Sequence, residues 1–258
     1  MNGDTAAIWS GNPPSGMQEK IREILDSGNR AGSRLNVFFR ADDIARCDER
    51  FRRLMLLFQS HRMPLCLAVV PGWLNTRRWQ DMERFNPEST LWCWHQHGWN
   101  HINHEMHGKK SEFGAARDRE SIRRDLATGK KHLTLLLGDL FFPVFTPPWN
   151  RCSSVTLELI EELGFSAVSR SLNAKPQYKG KLPDLAVNVD LHTRKETDPR
   201  QAWNNLLLEF TEAAQSGCIG LMLHHLRMND AAFDFLSFLL PLLQSHPGVA
   251  CRTFRGLL

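Results

Sequence analysis

The sequence lacks paired cysteines. Its 258 residues include six cysteines, which lie far apart and form no Cys-x-x-Cys pair. Several stand inside apolar runs, where cysteine behaves as a small hydrophobic residue. This pattern predicts reduced thiols in the cytoplasm, although the even count is also compatible with disulfides. Because a chain of this length can bury a core without crosslinks, any bound metal would serve chemistry rather than folding.

The sequence also lacks a long apolar run. The most apolar stretches, 133–145 and 233–243, are too short to span a bilayer or are interrupted by Gly, Asp or Pro. The opening MNGDTAAIWSGNPPSG has no basic segment followed by an apolar one, which argues against a secretory signal. We therefore expect a soluble, cytoplasmic protein without a membrane span.

Clusters of basic residues and a glycine-rich loop are missing as well. The 32 Lys+Arg against 28 Asp+Glu give a net charge of +4, spread along the chain. A nucleic-acid-binding protein would group its basic residues with aromatic ones, so this class is not indicated. No glycine-rich loop follows the first predicted strand, which argues against a dinucleotide or phosphate-loop fold. A mildly basic surface would still attract a phosphorylated or acidic sugar.

What the sequence contains is an alternation of strand and helix patterns. Most strand candidates are short apolar runs, as expected of parallel strands covered on both faces. The predicted strands are 35–40, 65–70, 91–95, 144–146, 166–169, 185–190, 219–223 and 250–254, and the predicted helices are 17–25, 49–61, 77–85, 120–137, 154–163, 199–215 and 231–244. Helix caps are predicted at Ser153 or Ser154 and at Asp198, with Gly164 closing the fifth helix.

Seven or eight βα units without a repeat or linker favour a single α/β domain, a distorted (β/α)7–8 barrel. An open doubly wound sheet is the structural alternative. We expect residues 1–30 to form a lead-in with a helix and residues 31–258 to form the barrel. In such a barrel, active residues lie at the carboxyl ends of the strands.

Two adjacent carboxylates follow the first predicted strand, in the segment FFRADDI. Because side chains alternate along a strand, Asp42 and Asp43 should point in different directions. One could then coordinate a metal while the other takes a proton from water. A strand end with two solvated aspartates is the simpler alternative, and this motif alone favours it.

Histidines crowd the segment HQHGWNHINHE, among Trp92, Trp94 and Trp99. His97 and His101 are four residues apart, so on one helical turn they would project to the same side, within reach of one ion. A polar helix start with satisfied histidines is the alternative. Imidazole suits zinc and similar ions, which favours metal binding here. One aspartate and two histidines would leave such an ion open positions for a hydrolytic reaction.

Polar residues follow several later predicted strands as well. They comprise the segment TPPWNR, with Pro148, Trp149, Asn150 and Arg151, the segment VNVDLH, with Asp190 and His192, and the segment LMLHHLR, with His224 and His225. Because side chains alternate along a strand, only one of His224 and His225 would face the barrel mouth. A buried, satisfied histidine is the alternative for each, and a plain strand-end aspartate is the alternative for Asp190.

The order of these motifs resembles the polysaccharide deacetylases, the NodB-homology group of carbohydrate esterase family 4, from about Val37 to His225. The resemblance implies Asp42 as general base, Asp43, His97 and His101 as metal ligands, and His224 as general acid. It also implies that Pro148, Trp149 and Asn150 line the acetyl pocket, with the backbone N–H of Trp149 helping to hold the oxyanion. The family's usual arginine is Thr146 here. Arg40, two residues before Asp42, or Arg151 could replace it. We expect His104, Arg151, Asp190, His192 and His225 to surround these positions.

The resemblance implies hydrolysis of an N-acetyl or O-acetyl group on a sugar, with Zn²⁺, or else Co²⁺ or Ni²⁺, as cofactor. The HGWNHINHE and TPPWNR variants resemble a bacterial subgroup associated with lipopolysaccharide O-antigen genes, so a nucleotide- or lipid-linked surface-glycan precursor is the expected substrate. Two alternatives are another metal-dependent amidohydrolase on the same barrel, and an inactive barrel whose tryptophans bind sugar. The presence of both a base and an acid argues against an inactive site.

Overall fold

The computed structural model describes residues 5–28, 34–178 and 180–258. The predicted domain boundary at residues 30 and 31 lies outside them. The helices of the described residues are α1 (Met17–Gly28), α2 (Glu49–Ser60), α3 (Thr76–Glu83), α4 (Arg119–Leu137), α5 (Ser154–Glu162), α6 (Pro199–Ser216) and α7 (Asp230–Ser245). The strands are β1 (Leu35–Ile44), β2 (Leu65–Val69), β3 (Trp92–His97), β4 (Phe141–Thr146), β5 (Ala167–Val168), β6 (Val189–Asp190), β7 (Cys218–Leu223) and β8 (Val249–Cys251).

The chain forms two compact units. The first contains the described residues up to Ala41, residues 48–65 and residues 187–258. In it β1 lies between β7 and β8, with β6 on the other side of β7, and these pairs are parallel. Helix α6 packs against α1 and β7. Strand β1 continues into the second unit, which also contains residues 66–186.

The second unit carries strands β2, β3, β4 and β5 side by side in that order. The pairs β3–β4 and β4–β5 are parallel, and α4 packs against α5. Most of these strand residues are buried, as expected of apolar runs in a parallel sheet. The predicted parallel α/β fold is confirmed.

The predicted helix boundaries are confirmed where caps were expected. The Ser153 side chain accepts a hydrogen bond from the backbone N–H of Thr156 at the start of α5. Gly164, with φ 68°, follows its end. Asp198 caps α6 through the backbone N–H of Gln201, and Pro199 opens the helix.

All six cysteines are free, so the disulfide alternative is not realised in this structure. None of the helices among the described residues has both the length and the apolar character needed to cross a bilayer.

Candidate metal centre

The two adjacent aspartates lie within strand β1, which extends four residues beyond its predicted end at Arg40. Asp42 is buried, whereas Asp43 is partly exposed. Asp43 adopts φ 63°, in the left-handed region that aspartate tolerates better than most residues. The two aspartates therefore differ in burial, and the left-handed backbone at Asp43 adds a local turn to the strand alternation from which their different directions were predicted.

His97 is the last residue of β3 and is buried. It pairs with Thr146 on β4, and its Nδ1 lies 3.0 Å from the Thr146 carbonyl oxygen. A carbonyl can only accept, so Nδ1 carries the proton that is donated. In the neutral ring, Nε2 is then a lone-pair donor, and it lies 3.3 Å from Oδ1 of Asp43. This arrangement, with the far ring nitrogen held by a backbone carbonyl, is typical of metal-binding histidines.

The turn after β3 requires glycine. Gly98 has φ 61°, and a Cβ atom there would lie 2.2 Å from Oε2 of Glu112 and 2.5 Å from Cγ of Pro148. The Glu112 carboxylate accepts hydrogen bonds from the backbone N–H groups of Trp99 (3.2 Å) and Asn100 (2.7 Å). Burial raises the pKa of Glu112, and these two hydrogen bonds partly offset that rise.

This turn corrects the prediction for the two histidines. His97 and His101 do not share a helical turn, because His97 ends a strand and His101 lies in a loop with φ 57°. Glu112, which is not one of the predicted site residues, fixes the backbone between them. It carries no local signal, since a glutamate in the segment SEF resembles any solvated loop residue.

The structure nevertheless brings the three predicted ligands together. Oδ1 of Asp43 lies 3.3 Å from Nε2 of His97 and 3.3 Å from Nε2 of His101. One donor atom from each residue lies within 4.8 Å of the others. Two imidazole nitrogens and one carboxylate oxygen converging on one point suit a divalent ion such as zinc, so the residues present fit a metal.

The electrostatics of the triad also favour a cation. Burial alone would lower the pKa of His97, but the contact with Asp43 and the charges of Asp42 and Asp43 raise it overall. Burial, together with the neighbouring His97, lowers the pKa of His101 to about 4. His101 is therefore neutral at pH 7 and available as a ligand, and the negative charges of Asp42 and Asp43 act on both imidazole rings.

Two tryptophan rings flank His101. The Trp149 ring lies 4.4 Å from it and the Trp73 ring 5.6 Å, measured between centroids. Trp149 and Asn150 both have left-handed backbones, with φ 57° and 58°, in the turn that follows β4, where Pro148 is buried. Trp73, in the turn Pro71–Trp73 after β2, is an addition to the predicted site. Flat aromatic rings beside a metal ligand are well suited to stacking on a sugar ring.

Other predicted residues of this unit take different places. Thr146, at the position of the expected arginine, is buried with its Oγ1 3.0 Å from Nε2 of His95. Arg151 donates to the carbonyl of Lys110 at 3.1 Å. His104 is exposed, and its backbone N–H donates to the carbonyl of Ser111 at 3.0 Å.

The remaining predicted residues belong to the first unit. Arg40 is fully buried on β1, opposite Met222 of β7, with its Nη2 3.3 Å from the Met222 sulfur. His224 follows β7 directly, and its backbone N–H donates to Nδ1 of His192 at 3.1 Å. His225 is buried, with its ring edge-on to Phe51 at 5.9 Å.

Asp190 organises the turn that presents His192. Its carboxylate accepts hydrogen bonds from the backbone N–H of His192 (3.0 Å), from that of Thr193 (2.9 Å) and from the Thr193 hydroxyl. The His192 ring lies against Trp9, at 5.7 Å between centroids. Burial, followed by the neighbouring His224, His225 and Arg227, lowers the pKa of His192 well below its usual value. His192 is therefore a neutral hydrogen-bond acceptor.

No protein-family model and no curated protein matches the sequence. Solved structures do match the fold. A Mycobacterium smegmatis chain assigned as a polysaccharide deacetylase has a TM-score of 0.64 and 16% identity, over 88% of this chain and 90% of its own. A deacetylase solved with substrate has a TM-score of 0.54 and 15% identity, over 84% and 87% of the two chains.

A pseudoenzyme of carbohydrate esterase family 4 from Bacillus anthracis has the same fold, with a TM-score of 0.54 and 12% identity, over 85% of this chain and 64% of its own. The chain therefore has the fold of the polysaccharide deacetylases, and the resemblance predicted from its motifs is confirmed at that level. Because a pseudoenzyme shares this fold, activity must be argued from the site.

Proposed function

We propose that the protein is a metal-dependent hydrolase that removes an acetyl group from an N-acetylated sugar, an O-acetyl ester being the variant of the same chemistry. The observation that carries this proposal is the convergence of Asp43, His97 and His101 within 4.8 Å, in a chain with the deacetylase fold. Asp43, His97 and His101 would hold the ion, for which Zn²⁺ is our choice ahead of Co²⁺ or Ni²⁺. When bound, it would supply Lewis acidity toward the acetyl carbonyl and lower the pKa of water.

Asp42 is our candidate for the general base. It is buried next to the ligand Asp43, and its charge raises the pKa of His97, as expected of a carboxylate close to the ion position. Asp42 would take the proton from the attacking water. The backbone N–H of Trp149 would donate to the oxyanion that forms at the carbonyl oxygen of the acetyl group, and Pro148, Asn150 and the Trp73 ring would bound the sugar side of the pocket.

His224 is our candidate for the general acid, which would protonate the leaving amine. Its backbone is held by the neutral His192, whose turn is fixed by Asp190. We assign Arg40 the role of orienting Asp42, as the family's arginine would. Arg151 is the second candidate, although it already contacts the Lys110 carbonyl. His225 and His104 would act only through their neighbours.

For the substrate, we propose a surface-glycan precursor, nucleotide-linked or lipid-linked, used in the cytoplasm. The support is the family variant to which HGWNHINHE and TPPWNR are similar, together with the free cysteines, which are typical of a reducing compartment. The rival reading, an inactive sugar-binding protein, has a precedent in the Bacillus anthracis pseudoenzyme. Another metal-dependent amidohydrolase would keep the ligands but need no sugar pocket.

The test is acetate release from a panel of free and nucleotide-linked N-acetyl sugars. Metal-stripped protein would be assayed with and without restored Zn²⁺ or Co²⁺, beside Asp42→Asn and His97→Ala. We expect metal-dependent release that both substitutions abolish, and only His97→Ala should also weaken metal binding.

Each other outcome removes a defined part of the proposal. Tight metal binding without acetate from any sugar would leave the ligand assignment and reject the substrate class. Release from cyclic amides instead of sugars would favour the amidohydrolase. Absence of metal binding, with sugar binding retained, would favour the inactive sugar-binding protein.

A further inference from the structure

The loop that carries His101 exposes an unusual combination of side chains. Ile102 and Met106 are 51% and 85% exposed, the latter the most exposed large apolar side chain in the described part of the chain. His107, Lys109 and Lys110 are exposed in the same loop. Scattered single apolar residues on a surface need no explanation, but two beside adjacent lysines, next to a metal ligand, do.

This loop is ordered by its own hydrogen bonds. The backbone N–H of His104 donates to the carbonyl of Ser111, and the Asn103 side chain accepts from the N–H groups of Glu105 (3.2 Å) and Ser111 (2.9 Å). Residues 104–111, here called the tip loop, are thus closed at their base. Met106 and the two lysines, Lys109 and Lys110, lie between these hydrogen bonds and are exposed.

The charge of the tip loop is one-sided. Its single acid, Glu105, is turned away, since its carboxylate accepts from the backbone N–H of Ala116 at 3.3 Å. Lys109 and Lys110 have no ion pair with any carboxylate among the described residues, and Arg151 contacts the loop through the Lys110 carbonyl. A short apolar tip with unpaired basic residues fits the interface of a bilayer with anionic head groups.

We propose that the tip loop docks on an anionic lipid surface, with Met106 entering the head-group region and Lys109 and Lys110 contacting phosphates. A protein partner would need about 800 Å² from this side, which an eight-residue loop with one exposed large apolar side chain, Met106, and Ile102 two residues before it does not offer. A free phosphorylated ligand would use the lysines and leave Met106 without a role. The inference rests on the proposed function, because docking would bring the site that contains His101 to a lipid-linked glycan.

The test is co-sedimentation of the full chain with vesicles of phosphatidylcholine alone or with about one third phosphatidylglycerol. We expect binding to the anionic vesicles only, lost at 0.5 M NaCl, where charges are screened within a few ångströms. Lys109→Gln with Lys110→Gln should weaken binding about thirty-fold, and Met106→Ser about tenfold. Leu135→Ser and Lys131→Gln, matched exposed positions on α4, should bind like the wild type.

Several results would overturn the inference. They are equal binding to neutral vesicles, equal loss in the α4 variants, or no binding at all. If the lysine variant loses binding while Met106→Ser keeps it, the loop is an anion site without insertion, which also rejects membrane docking.

Zn²⁺ affinity and acetate release from soluble sugars, measured on the same preparations, separate the two proposals. Vesicle binding without metal-dependent hydrolysis would reject the proposed function and leave the docking surface. Metal-dependent hydrolysis without vesicle binding would support the proposed function and reject the docking surface.

Discussion

Asp42 and Asp43 are chemically identical neighbours on β1, yet their surroundings differ, which suits the different roles proposed for them. Asp43 is turned by its left-handed backbone so that Oδ1 lies 3.3 Å from Nε2 of both His97 and His101. Asp42 stays buried and acts on His97 through its charge. At the scale of single residues, the proposed chemistry depends on this separation of a ligand from a base.

The two aspartates therefore form a matched pair for substitution. Asp43→Asn should lower Zn²⁺ affinity by at least about 100-fold, because a ligand charge is removed, whereas Asp42→Asn should bind the ion with less than about a tenfold change and lose acetate release. Competition of metal-stripped protein against a fluorescent chelator measures the first effect, and acetate assays measure the second. Equal loss of zinc in both variants would show that Asp42 is also a ligand.

At the scale of elements, the turn after β3 determines whether His101 reaches the ion position. Gly98 and Gly108 both have positive φ, 61° and 77°, but a Cβ at Gly108 would meet nothing within 4 Å. In Gly98→Ala, the new Cβ would collide with Glu112 and Pro148, and the alanine would also have to adopt a left-handed backbone. Alanine substitution at the two glycines thus separates the free-energy cost of a left-handed backbone from that of a steric collision.

We expect Gly108→Ala to lower the free energy of unfolding by about 1 kcal/mol, the price of a left-handed alanine, and to leave zinc binding unchanged. Gly98→Ala should cost at least about 3 kcal/mol and weaken zinc binding, because the turn between His97 and His101 must shift. Urea unfolding of both variants checks this. A similar cost in both would mean that Glu112 and Pro148 yield easily and that the turn is not the anchor.

The junction between β6 and β7 offers a second test at this scale. The Leu191 carbonyl accepts a hydrogen bond from the Trp9 indole N–H at 2.9 Å. The next residue, His192, accepts a hydrogen bond at its ring Nδ1 from the backbone N–H of His224. His192→Asn can place an amide oxygen near the position of Nδ1, whereas His192→Phe cannot accept. We expect the phenylalanine variant to lose about 1–2 kcal/mol of unfolding free energy and most of its kcat, and asparagine to restore much of both.

Amide hydrogen exchange at His224 distinguishes the hydrogen bond from a packing effect. Exchange of this N–H should quicken in His192→Phe and stay slow in His192→Asn. If both variants keep slow exchange, His192 does not hold the backbone of His224.

Much of this architecture could be predicted from the sequence, because local chemistry determines it. Local sequence alone specifies three of these features: the cap at Ser153, the Asp198–Pro199 start of α6 and the apolar run of β7. The triad could be predicted as a set, but not its geometry. The contact of Glu112 with the turn at Gly98 depends on the folded loop, and so does the left-handed backbone of Asp43.

At the scale of the whole molecule, we expect low pH to reduce the unfolding free energy, because some buried histidines stay neutral in the folded state. His192 is buried, and its pKa is lowered chiefly by burial and then by His224, His225 and Arg227. The unfolded chain, with a histidine pKa of about 6.5, then binds a proton that the folded state does not. Its contribution to stability is present above pH 6.5 and is lost as pH falls. His101, with a pKa of about 4, also lowers the unfolding free energy as pH falls. His97, with a raised pKa, changes the unfolding free energy in the opposite direction.

We therefore expect the unfolding free energy of metal-free protein to fall as pH is lowered from 7 to 5. His192 alone contributes about 1.4 kcal/mol per pH unit below 6.5, as long as its ring stays neutral in the folded state. His192→Asn is the matched control, because it can keep the hydrogen bond to His224 and cannot titrate. Urea unfolding at pH 7, 6 and 5 should give a shallower pH dependence for this variant than for the wild type. Parallel curves would mean that His192 takes up a proton in the folded protein as readily as in the unfolded chain, and that it is not the neutral acceptor that its contact with His224 requires.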